Sequence, residues 1–84
     1  MAGAKVDSPA VSKPVKLELN NSGAWKTVAR FDAADEQQAD PAMQAAELLQ
    51  RVNPRQAWRI ATDEPLPLVL MRLCDAATGW EPAR

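Results

Sequence analysis

Apolar and polar residues alternate without a break over Val15-Lys16-Leu17-Glu18-Leu19, which is the pattern of a strand buried on one side. Asn20-Asn21-Ser22-Gly23 follows, and these residue types tolerate the positive φ of a tight turn. Trp25-Lys26-Thr27-Val28-Ala29-Arg30-Phe31 is rich in β-branched and aromatic residues and reads as the returning strand of a hairpin. The acidic, polar stretch 32–39 reads as a loop or an early helical turn. Asp40-Pro41 then forms a helix start, with Asp40 as N-cap and Pro41 at the first helical position, where a missing donor costs nothing.

Ala42, Ala45, Ala46, Leu49 and Val52 recur at helical spacing, so the expected helix runs to about Val52 with Leu49 on its buried stripe. Asn53-Pro54 ends it, with Asn53 suited to a left-handed cap. Gln56–Thr62 and Leu68–Cys74 read as a third and a fourth strand, with prolines 65 and 67 confined to the connection. Asp75–Gly79 turns the chain again. Trp80-Glu81 either adds a short final pairing or closes an open end of the core.

The resulting order is β-β-α-β-β. It predicts an α+β fold: a four-stranded, mainly antiparallel sheet with one helix on one face. Residues 1–14, with small residues, Pro9, Pro14 and isolated charges, read as a disordered tail, leaving 15–84 as a single domain.

Alternation assigns the two sides of the sheet. Val15, Leu17, Leu19, Trp25, Ala29, Phe31, Trp58, Ile60, Val69, Met71 and Leu73 fall on the side expected under the helix. Lys16, Glu18, Lys26, Val28, Arg30, Ala57, Arg59, Ala61, Leu68, Leu70 and Arg72 fall on the other. That second side holds five bases and one acid, although the whole chain has a net charge of only −1. It also holds aliphatic residues, so the fourth strand is apolar on both sides, unlike a strand with one solvated face. Lys26, Val28, Arg30, Arg59, Leu68, Leu70 and Arg72 are therefore the candidate interaction surface, aliphatic groups ringed by arginine. The assignment depends on register, because a one-residue slip exchanges the sides.

Composition narrows the chemistry. The chain has 84 residues, one cysteine and no histidine or tyrosine. A disulfide within the chain is excluded, and so is a zinc site of the usual Cys/His kind. The commonest general base is missing. Ser8, Ser12 and Ser22 have no local activating partner, and Cys74, at the end of an apolar strand, is expected to be a buried structural thiol. Asp35-Glu36 and Asp63-Glu64 read as solvated loop acids, and the three glycines are isolated, so no phosphate-binding loop is present. No catalytic, metal-binding or cofactor-binding residue emerges, and an enzyme is not expected.

The start of the chain lacks the apolar stretch of a signal peptide, and no apolar run reaches the length of a membrane span. A cytoplasmic protein without membrane contact is expected. Frequent Ala, Arg and Pro fit a GC-rich bacterial or phage genome, and the element order occurs among small interaction modules, including phage and mobile-element accessory proteins. The expected function is a non-catalytic binding module that contacts an unknown protein partner or a second copy of itself. The alternative is binding of single-stranded nucleic acid on the same basic side; alternation puts Trp25 and Trp58 in the core, which counts against it, and a reversed register would favour it.

Overall fold

The computed structural model describes residues 12–83. The elements are β1 (Pro14–Asn20), β2 (Trp25–Asp32), α1 (Glu36–Val52), β3 (Ala57–Thr62), β4 (Val69–Leu73) and β5 (Glu81–Pro82). They form a five-stranded sheet in the order β2-β1-β3-β4-β5, antiparallel at every pairing, with one helix. The fold is the expected α+β arrangement with a fifth, two-residue strand added at the β4 edge. The tail expected over residues 1–14 falls mainly outside the described residues. Pro14 opens β1, and Lys13 just before it is tied to the end of β2, its carbonyl accepting from Ala33 and its N–H donating to Asp32.

The first hairpin closes as its residues dictate. Gly23 takes φ +93°, a conformation closed to most L side chains, and its N–H donates to Asn20 Oδ1. Asp32 ties the far end of that hairpin to the start of the helix. Its Oδ1 accepts from the backbone N–H of Lys13 and of Ala34 at 2.8 and 2.9 Å. Those two donors hold its carboxyl below the usual carboxylate range. The resulting stabilisation is present at neutral pH and is lost as pH falls through the lowered value.

The helix begins before the expected start. Asp35, not Asp40, is the N-cap, and its side chain accepts from the Gln37 N–H. Gln38 completes the arrangement by donating to Asp35 Oδ2 while accepting from the Asp32 N–H. Asp35 and Gln38 thus stand three apart, in the spacing of a capping box. Pro41 lies inside the helix, past its first turn, so the helix forgoes the bond that an N–H at this position would donate to the Gln37 carbonyl. At the other end Asn53 has φ −135°, not a left-handed cap, in keeping with the extended backbone that Pro54 imposes on its predecessor.

The core consists of Val15, Leu17, Ala46, Trp58, Ile60 and Leu73, with Leu19, Phe31, Met43, Met71 and Trp80 packed around it. The helix is turned about its axis relative to the sequence expectation. Ala46 and Gln50 are buried and Ala39, Ala42, Met43 and Glu47 half-buried, whereas Leu48, Leu49 and Val52 are 59%, 49% and 80% exposed. Two hydrogen bonds fix that orientation. Gln50 Nε2 donates to the carbonyl of Gln56 in the helix–β3 turn, and Trp80 Nε1 donates to the carbonyl of Met43 at 3.0 Å. Ala46 is fully buried, so the missing bulk at that position lets the helix approach the sheet closely.

Candidate arginine face of the sheet

Pairing across the strands decides which side chains share a face. On the side away from α1, one row runs Arg30, Lys16, Ala61, Val69 and the next runs Thr27, Glu18, Arg59, Arg72, Glu81. A third row holds Trp25, Asn20 and Ala57. Arg30, Arg59 and Arg72 therefore stand on one face, joined by Lys16.

Two bulges redistribute the rest of the candidate surface. The register of β1 against β2 shifts between Leu17 and Glu18, leaving Val28 as the extra residue. Beyond the bulge every β2 side chain changes sides. Lys26 stands opposite Leu19, on the helix side, and Trp25 moves from its expected core position to the arginine face. A second shift, between Ile60 and Ala61, makes Leu70 the extra residue of β4 and places Val69 opposite Ala61 on the arginine face, not in the core. Leu68 lies just outside β4, its N–H held by Thr62 Oγ1. Val28, Leu68 and Leu70 are all solvent-exposed.

The centre of the face is a closed electrostatic unit. Glu18 is only 5% exposed, although no helix covers it. Arg59 Nε donates to its Oε1 at 2.6 Å, and Lys16 Nζ lies 3.5 Å from its Oε2. The Arg59 guanidinium lies 4.1 Å from the centre of the Trp25 ring. The cover over the carboxylate is thus made of the Lys16 and Arg59 stems with an indole stacked on the guanidinium, a cation–π contact. Arg30 is also engaged, 3.3 Å from Asp63, an acid the sequence assigns to a solvated loop. The face carries Lys16, Arg30, Arg59 and Arg72 against Glu18, Glu81 and the incoming Asp63, so its basic excess is smaller than alternation implies.

Arg72 is the exception. It is exposed, stands directly opposite Arg59 across the β3–β4 pairing, and has no ion pair among the described residues. Alternation places Glu18 on this face but misses Trp25. A bulge in β2 is the only device that brings them together, and nothing in the composition of that strand marks it.

Cys74 is exposed, not buried, because β4 ends at Leu73 and the thiol belongs to the turn beyond it. Among the described residues, no three His, Cys, Asp or Glu side chains stand close enough to hold a metal ion. No helix among them is long and apolar enough to cross a membrane. No family model, curated protein or solved structure matches the chain.

Proposed function

We propose that this chain is a small non-catalytic binding module whose arginine face docks an acidic segment of a protein partner. One observation carries the proposal: Arg59 and Arg72 are direct cross-strand neighbours, and Arg72, although Glu81 stands across from it on β5, makes no ion pair among the described residues. Like charges placed opposite each other across two strands are destabilising. A carboxylate bridging the two guanidinium groups removes that cost and gains charge-assisted hydrogen bonds. Arg59 is already held by Glu18 and Trp25, so little rotamer freedom remains to be lost on binding. Val69, paired with Ala61 in the same row as Lys16 and Arg30, supplies aliphatic contact beside the cations. The single exposed thiol fits a reducing compartment such as the cytoplasm, and the Ala, Arg and Pro content fits a bacterial or phage source.

A second reading is binding of single-stranded nucleic acid on the same face. It is favoured by the position of Trp25, an aromatic ring among cationic side chains. Fluorescence anisotropy separates the two. A labelled glutamate-rich peptide and a labelled single-stranded oligonucleotide are titrated against the wild type and Arg72→Ala. The proposal expects the peptide to bind and Arg72→Ala to weaken it about 5- to 30-fold, the effect of truncating a central arginine contact. Binding of the oligonucleotide alone, falling steeply with salt, replaces it by the second reading. Binding of neither overturns both.

A further inference from the structure

The outward side of α1 carries a pattern that the arginine face does not explain. Pro41, Ala45, Leu48 and Val52 follow each other at spacings of four, three and four residues, the seam spacing of paired helices. The sheet-facing set Ala39, Met43, Ala46 and Gln50 has the same spacing two positions earlier. Two positions correspond to roughly 200° around a helix of ~3.6 residues per turn, so the second seam points away from the sheet. All four of its residues are exposed, and Leu49 widens it on one side.

Charge along the helix says what fits this seam. Asp35, Glu36 and Asp40 lie at its N-terminal end, while Arg51 and Arg55 lie at or just beyond its C-terminal end. A second copy laid antiparallel sets the acidic end of each helix beside the basic end of the other and opposes the two helix dipoles. A parallel copy sets like charges together. We infer that α1 is a self-association surface, where two copies of the chain pair through antiparallel helices about a two-fold axis. One helical seam is smaller than the ~800 Å² per partner of a standard stable interface, so the dimer belongs to the weak, concentration-dependent class.

The surface lies on the far side of α1 from the sheet, so self-association and peptide binding at Arg72 fail independently. The test is sedimentation equilibrium of the whole chain between about 10 and 1000 µM, the range that brackets such a weak interface. The wild type is expected to rise from monomer mass toward dimer mass. Leu48→Glu is expected to stay monomeric throughout, with far-UV circular dichroism and Tm unchanged because the side chain is exposed. Two charge variants test the orientation. Glu36→Lys/Asp40→Lys and Arg51→Glu/Arg55→Glu are each expected to lose the dimer alone and to regain it when mixed. A wild type that stays monomeric overturns the inference, as does a dimer indifferent to Leu48→Glu. Failure of the mixture to recover overturns the antiparallel arrangement.

Discussion

Leu73→Ala is expected to destabilise the protein by about 2–5 kcal/mol, the range for removing most of a buried leucine. Leu73 is fully buried in β4 and pairs across the sheet with Trp58, itself almost completely covered. That neighbour cannot collapse easily into the space. Trp58 is a rigid bicyclic ring, and its Nε1 is a buried donor with no acceptor among the described residues. Leu49→Ala, by contrast, should shift stability by no more than about 0.5 kcal/mol, as at an ordinary surface position. Leu49 is 49% exposed. Urea unfolding of both variants checks the pair. A large loss at Leu49 with a small one at Leu73 would mean that helix and sheet meet through other residues.

The second large effect is expected at Glu18. Breaking a fully buried ion pair from one side costs about 3–5 kcal/mol, because the remaining charge is left without a partner. Here Arg59 keeps 21% of its side chain exposed and Lys16 keeps 16%, so both regain some water when the carboxylate goes. Glu18→Ala should therefore cost less, about 1–3 kcal/mol. The loss should also reach the stack, since the hydrogen bond from Arg59 Nε to Glu18 orients the guanidinium under the Trp25 ring. Thermal unfolding gives the stability change. The near-ultraviolet circular dichroism of the tryptophans should change with it. A Glu18→Ala protein of wild-type stability would show that the cluster is ornamental.

These two residues also mark where sequence pattern carries information and where it stops. β1 was legible because its alternation is strict and both faces of the strand are used: Val15 and Leu17 in the core, Lys16 and Glu18 opposite. The first turn was legible because Asn20 and Gly23 have few other uses at that spacing. Trp25 was misplaced because alternation counts residues, and the bulge at Val28 adds one without a sequence mark. The same failure at Leu70 sent Val69 to the wrong side.

The helix face was misread for a different reason. Ala42, Ala45, Ala46, Leu49 and Val52 share helical spacing, and spacing alone does not tell which of two overlapping apolar stripes meets the sheet. The structure buries Ala46 for close approach and Gln50 because its amide reaches the Gln56 carbonyl, a partner invisible before the turn is built. The helix start was misread because Asp40-Pro41 is a strong local signal. Asp35 prevails by tertiary support, since Gln38 links the cap to Asp32 at the end of β2.

Among the proposed surface residues, Arg30, Arg59 and Arg72 fall on one face because each sits on the unshifted side of its bulge. Lys26 does not, because it sits on the other. The same alternation could not reveal that Glu18 and Asp63 engage two of those three arginines, since such pairing depends on side-chain reach and not on strand period.

Which side of α1 meets the sheet decides most of this account. Cysteine alkylation measures it directly in a Cys74→Ser background, with single cysteines introduced by Ala46→Cys and Leu49→Cys. At dilute protein concentration, the thiol at position 49 should react as fast as in an unfolded peptide. The thiol at position 46 should react only through opening, at least ~100-fold more slowly for about 3 kcal/mol of local stability. Equal rates, or a slower reaction at position 49, would contradict the orientation of the helix and the exposed seam with it.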